Sequence, residues 1–203
     1  TIDNDQKIEK IKKKKKRINK KKNKREKNIK NAEQNRKNEE RDLKIKYENP
    51  HQVGADRICN AIAGRHYYDL PQVILDFGTA TTFDVIDKDG TYLGGSIMPG
   101  FEIAAKDLFH KAARLFKVEL HFPDKIIGRT TEESMQSGIM YSAVDSINGM
   151  LVRIRNELGA SDMNIIVTGG VGKIILPHIQ NVTDFNPDLT LHGLHLIFQQ
   201  LHG

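Results

Sequence analysis

Five consecutive lysines, Lys12 to Lys16, followed by Arg17, Lys20, Lys21, Lys22, Lys24 and Arg25, divide this chain into two unlike parts. Residues 1–46 hold 20 Lys and Arg against 8 Asp and Glu, whereas residues 47–203 hold 12 against 18. The formal charge of +6 therefore belongs to no single folded body, and the chain as a whole does not read as one basic nucleic-acid-binding domain. The apolar residues of the tail are few: Ile2, Ile8, Ile11, Ile18, Ile29, Ala32, Leu43 and Ile45. They cannot offset the entropy of ordering so polar a segment, so 1–46 is expected to be a disordered or solvated helical low-complexity tail. The remaining 157 residues are enough to bury roughly 70% of their unfolded surface in one core.

Two readings of the tail stay open. Its charge can hold a nucleic acid or another anionic polymer through phosphate contacts. Alternatively it is an extension with no partner, since Lys, Asn, Ile and Glu are what AT-rich DNA encodes under little constraint. The first aromatic residue is Tyr47, so the tail has nothing on which bases could stack, and any such contact would be non-specific. A single cysteine, Cys59, excludes an internal disulfide framework and suggests a reducing, cytoplasmic setting. No run of about 18 apolar residues is present to span a membrane, and the charged start lacks the apolar core of a secretory signal. The eight histidines fall in no metal-binding spacing.

From Tyr47 onward, strand and helix signals alternate. Asn49-Pro50 is a helix-start pair, and Ala55, Ile58, Ala61 and Ile62 recur at helical spacing up to Gly64. Asp56, Arg57 and Asn60 fall off that stripe, with Asp56 and Asn60 one turn apart on a shared face. Strands are expected at 73–75 and about 81–86, joined further on by the Asp87-Lys88-Asp89-Gly90 turn to a strand that Gly94-Gly95 should end. Met98-Pro99-Gly100 reads as a tight loop before a helix over 102–115. An irregular stretch to Pro123, a helix over 131–158, a buried strand over 164–167 and a last helix over 191–201 complete the pattern. Small residues around Ser134–Gly138 suit close helix packing, including packing between subunits. The order indicates a mixed sheet packed by helices, an α/β fold.

Chemistry can sit at three places. Asp76-Phe77-Gly78-Thr79-Ala80-Thr81-Thr82 places a carboxylate at a strand end, then a glycine, then hydroxyls, which suits phosphate and cation handling. Thr168-Gly169-Gly170 after an apolar strand can form a backbone floor for a nucleotide. It is not a P-loop: Val167 stands where the first glycine is needed, and Ile174 follows Lys173 where a magnesium-binding hydroxyl is required. Gly54-Ala55-Asp56-Arg57 sets a candidate general base beside a guanidinium fork that can hold a carboxylate or phosphate. Each of the three also has an ordinary structural explanation when read alone.

Together they resemble the type III pantothenate kinases. The resemblance runs through Tyr47-x-Asn49-Pro50-x-x-Val53-Gly54-Ala55-Asp56-Arg57, the Asp76–Thr82 turn, Gly94-Gly95-x-Ile97-x-Pro99-Gly100 and Ile127-Gly128-Arg129-x-Thr131-x-x-Ser134-x-x-Ser137-Gly138. Thr168-Gly169-Gly170 and Leu189-Thr190-Leu191-x-Gly193-Leu194 continue it, so that it covers 47–203 and leaves 1–46 without a counterpart.

The resemblance implies a ribonuclease-H-like lobe of the actin-like ATPase and sugar-kinase superfamily, working as a homodimer. It also implies ATP-dependent phosphorylation of pantothenate, the first step of coenzyme A synthesis, with magnesium and a monovalent cation, potassium or ammonium. By the same resemblance Asp56 accepts the proton of the pantothenate hydroxyl. Tyr47, Gly54, Ala55, Asp56, Arg57 and Thr131 line the pantothenate site, Asp76 binds the monovalent cation, and Thr79 touches ATP. Family members open on a strand and an Asp-x-Gly-Asn-Thr turn that grips the ATP phosphates, and 1–46 contains no such turn. A chain without that half of the first domain should expose apolar surface where the half would pack. Phe116 also stands where the family has a proline. A non-catalytic regulatory protein of the same fold, with the tail contacting nucleic acid, is the alternative.

Overall fold

The computed structural model describes residues 43–111, 119–170 and 172–202. The tail before Leu43, the expected helix end at 112–115 and Phe116 lie outside them. A five-stranded sheet is formed by β1 (Gln72–Phe77), β2 (Ala80–Ile86), β3 (Tyr92–Pro99), β4 (Asn164–Thr168) and β5 (Asp184–Phe185). Their order is β3-β2-β1-β4-β5: the first three are antiparallel neighbours, and β1, β4 and β5 run parallel. This is the ribonuclease-H-like arrangement implied by the resemblance.

The period-2 alternation of β1 assigns its two faces. Val73, Leu75 and Phe77 join Phe83, Val85, Ile165 and Val167 in a core closed by α3 (Thr131–Leu158), with Phe101 of α2 (Phe101–Lys111) at its edge. Ile74 points the other way, with Ile86, Tyr92 and Ile166, into a second core beneath α1 (Ala55–Tyr67), to which Leu189 of α5 (Leu189–His202) also belongs. A one-turn helix, α4 (Gly172–Ile175), follows β4.

The bounds of α3 coincide with the sequence expectation because both ends are chemically marked. The Thr130 hydroxyl accepts from the Glu133 N–H, Glu133 reaches back to the Arg129 N–H, and Gly159 closes the helix at φ 62°. Elsewhere the expectation needs correction. Asn49-Pro50 opens only a three-residue 3-10 turn, and α1 begins afresh at Ala55. Gly94-Gly95 does not end its strand: β3 continues through Met98 and Pro99, paired with Thr81 and Ala80. The two glycines are needed for close approach instead. Gly94 has φ +107° beside the Tyr47 ring, and a Cβ on Gly95 would overlap the Phe83 carbonyl.

Ile45, counted in the tail by charge, forms a parallel bridge with Tyr92, and Leu43 packs with it on the second core. Two alternate apolar residues are enough to dock this short extended piece. No described helix is long and apolar enough to cross a membrane. The outward face of α5 leaves Leu191, Leu194, Phe198 and Leu201 exposed.

Candidate active site

The helix α1 has two buried sides because it lies between the sheet and α5. The expectation that Arg57 and Asn60 fall outside its packed stripe is therefore wrong: both are buried, together with Ala61 and Gly64. The side of α1 facing the sheet is lined by short residues and polar anchors. Gly64 sits so close to Ile74 that a Cβ would stand 2.6 Å from its Cδ1.

Even-numbered positions of β1 and β2 face this helix and place three polar side chains under its first two turns. Asp76, the last residue but one of β1, lies opposite Thr82 of β2 and Thr168 of β4. Its Oδ2 accepts from the Asn60 amide at 2.9 Å, and the Asn60 carbonyl accepts from the Thr190 hydroxyl at 2.7 Å, which ties β1, α1 and α5 into one chain. Burial pushes the Asp76 carboxyl above its ordinary value, Asn60 opposes that shift, and the charge of Asp56 adds to it. Asp56 stands one helical turn before Asn60, which bonds Asp76, so both carboxylates lie near the start of α1.

Asp56 itself is exposed at the start of α1. Its Oδ1 accepts from the Arg57 N–H at 2.9 Å, which leaves Oδ2 free. A Cβ on Gly54 would stand 2.5 Å from that same Oδ1, so glycine there keeps room for the carboxylate. Arg57 turns inward: its Nε donates to Asp84 Oδ1 at 2.6 Å. Tyr47 lies against Gly94 at the same end of the helix. Gly54, Ala55, Asp56, Arg57, Tyr47 and Asp76 are thus brought together at the α1 end of the sheet.

Thr79 is exposed on the turn that follows Asp76, where its carbonyl accepts from the Gly100 N–H. Next to it across β1 and β4 lies Gly169, at φ +94° and packed on the Phe77 backbone, where a Cβ would stand 2.5 Å from the Phe77 carbonyl oxygen. The Asp76–Thr79 and Thr168–Gly170 turns therefore adjoin at the carboxyl ends of two parallel strands, the usual place for a ligand crevice in such sheets.

Thr131 is not part of this cluster. It begins α3, on the opposite face of the sheet, and lines a cavity of about 980 Å³ with Thr81, Met98, Phe101, Gly138 and Ser142. Sequence reasoning missed Asp84 and the role of Asn60. The shared helix face of Asp56 and Asn60 was a usable signal for the second. Nothing local marked the first.

The Asp76 carboxylate fits a monovalent cation: one oxygen is engaged by Asn60, and the other lies on the side of Gly78, where a Cβ would still be 4.0 Å away. No group of three or more His, Cys, Asp or Glu converges among the described residues. Because the folded-state value of Asp76 is raised, its contribution to stability is full below the ordinary carboxylate range and is lost as pH rises through the raised value. Asp76→Asn should therefore melt at a higher temperature than the parent at pH 7, with the difference closing toward pH 4. Added potassium should stabilise the parent and not the variant. Thermal melts across pH, with and without potassium, check both.

Comparison with known proteins gives the family. The sequence profile of the family described as type III pantothenate kinase matches residues 11–153, and so extends into the stretch that the motifs left without a counterpart. The type III pantothenate kinase of Thermomicrobium roseum is 46% identical over 160 residues, which cover 79% of this chain and 61% of that one. The type III pantothenate kinase of Agathobacter rectalis is 41% identical over 158 residues, 78% of this chain and 61% of its own. The chain thus spans about three fifths of the length of the relatives it matches. A crystal structure of a Campylobacter jejuni protein assigned to the Baf family of transcriptional activators superimposes with a TM-score of 0.55 at 22% identity, over 80% of this chain and 70% of that one. At that identity the likeness is one of fold.

Proposed function

The chain belongs to the type III pantothenate kinase family, and from that premise we propose that it serves the ATP-dependent phosphorylation of the primary hydroxyl of pantothenate to 4'-phosphopantothenate, the entry step of coenzyme A synthesis. The observation that carries this reading is the pairing of Asp56 with Asp76. A solvent-facing carboxylate with a free oxygen stands at a helix start, one turn before the Asn60 amide that holds a half-buried carboxylate near a strand end.

In this reading Asp56 Oδ2 takes the proton from the acceptor hydroxyl while Oδ1 stays bonded to the Arg57 N–H, so the base is held in place as it works. Gly54 and Ala55 let the acceptor approach the backbone, Tyr47 closes the site from the β3 side, and the Arg57 guanidinium receives the acceptor's carboxylate. Thr79 would hold the ATP phosphates through its hydroxyl, and magnesium would supply neutralisation of their charge. Bound at Asp76, potassium or ammonium would offset phosphate charge. Phosphoryl transfer asks little covalent work of a protein, and positioned groups of this kind are what it does ask for.

Thr131 joins such a site only if a second copy supplies it, because in one chain the sheet separates it from Asp56. A homodimer joined through α2 and α3 accounts for this. Gly138 and Gly149 of α3 have open space where a Cβ would stand, and Ile97, Ile126 and Ile127 are exposed. Light scattering should give twice the chain mass, and Gly138→Arg should halve it.

The direct test incubates the chain with pantothenate, ATP, magnesium and potassium and follows 4'-phosphopantothenate by mass spectrometry. Product that depends on ATP and falls when sodium replaces potassium is expected. A folded, soluble chain that yields none would reject the activity.

A further inference from the structure

The carboxylate of Asp84 has no part in the chemistry just described, yet it is the most completely enclosed charge among the described residues. It sits in the middle of β2, at 0% exposure, paired across β3 with Gly95. Three donors converge on it. Arg57 Nε at 2.6 Å and the Tyr92 hydroxyl at 2.7 Å share Oδ1, and the Thr82 hydroxyl reaches Oδ2 at 3.1 Å.

Arg57, which it holds, is itself 7% exposed, with its guanidinium carbon 5.9 Å from the centre of the Tyr92 ring. The Arg57 head is therefore fixed along one edge by an anion and faced by an aromatic ring. Its Nη2 is buried without a partner among the described residues, next to Gly95, where a Cβ would come within 3.2 Å. The geometry is that of a guanidinium clamped through Nε so that its terminal nitrogens keep one direction.

We propose that Asp84 is a positioning residue for acceptor recognition: by anchoring Arg57 through Nε it directs the remaining guanidinium N–H groups at the acid end of the acceptor, and so sets the preference for a carboxylate over a neutral group. This rests on the reading of Arg57 given under the proposed function.

The physical reason is the cost of an unpaired buried cation. With the charge of Asp84 removed, the Arg57 head no longer has a counter-ion inside the protein. Its flexible stem lets it swing to water instead. The acceptor's carboxylate then loses its fixed partner, while contacts to the rest of the acceptor persist. A merely structural role for Asp84 would weaken every ligand alike.

The test titrates the full chain by calorimetry with pantothenate and with pantothenol, in which a hydroxymethyl group replaces the carboxylate. For Asp84→Asn the dissociation constant for pantothenate should rise roughly tenfold or more, and that for pantothenol by less than about twofold. Tyr92→Phe removes one donor from Oδ1 but leaves both charges. It covers the case in which Asp84→Asn does not fold, and it should shift the same ratio by roughly threefold. The Arg57 Nε–H proton should be protected from solvent exchange in the parent by NMR and lose that protection in Asp84→Asn.

Equal weakening of both ligands, or an unchanged ratio in a folded variant, would overturn the proposal and leave the functional reading standing. A parent chain that binds neither ligand would remove that reading, and the proposal with it.

Discussion

Gly193→Val is expected to lower the melting temperature of the chain by about 10 °C or more, the largest effect of any single substitution considered for stability. Gly193 lies in α5 where that helix crosses α1, and a Cβ there would overlap the Cys59 carbonyl oxygen and come within 2.5 Å of its carbon. The obstruction is helix backbone, which cannot rotate aside as a side chain can, so α5 must lift from α1. Lifting it exposes Leu189, now wholly buried, and pulls Thr190 from Asn60. Overpacking of this kind costs about 1–3 kcal/mol when side chains can yield, and more when they cannot. One kcal/mol moves the midpoint of a domain this size by about 2–4 °C. Differential scanning calorimetry of parent and variant measures the shift. An unchanged midpoint would mean that the helices do not cross so closely.

Asp56→Asn should reduce turnover by about 10²–10⁴ while leaving the Michaelis constant for pantothenate within a few-fold of the parent. Asparagine keeps an oxygen to accept the Arg57 N–H at the start of α1, so local structure survives and only the proposed proton acceptor is lost. The same change removes the charge that helps push the Asp76 carboxyl up, so that group should titrate closer to its ordinary value in the variant. Initial rates and an NMR titration of the Asp76 carboxyl report on the two effects separately. Turnover at the parent's rate would show that another group accepts the proton.

Local chemistry made some elements readable from the sequence and left others hidden. Helix α3 was readable at both ends because a capping threonine and a left-handed glycine mark them. β1 and β4 were readable as apolar runs ending in Asp76 and in Thr168-Gly169-Gly170. The Gly94-Gly95 pair misled because glycine in a strand signals either an end or a close approach, and only the position of the Phe83 carbonyl decides between them. Arg57 misled for a similar reason: by helical spacing it falls off the apolar stripe, and its counter-ion lies 27 residues away on β2. The separation of Thr131 from Asp56 depends on which face of the sheet each helix covers, which no local motif records.

The central claim is that Gly54 to Arg57, with Tyr47, receive pantothenate. An ¹⁵N-resolved titration of the labelled chain tests it without requiring turnover. The account predicts saturable shifts in the amide signals of Gly54, Ala55, Asp56 and Arg57. Binding that leaves those four signals in place, or no binding by a folded chain, would contradict it.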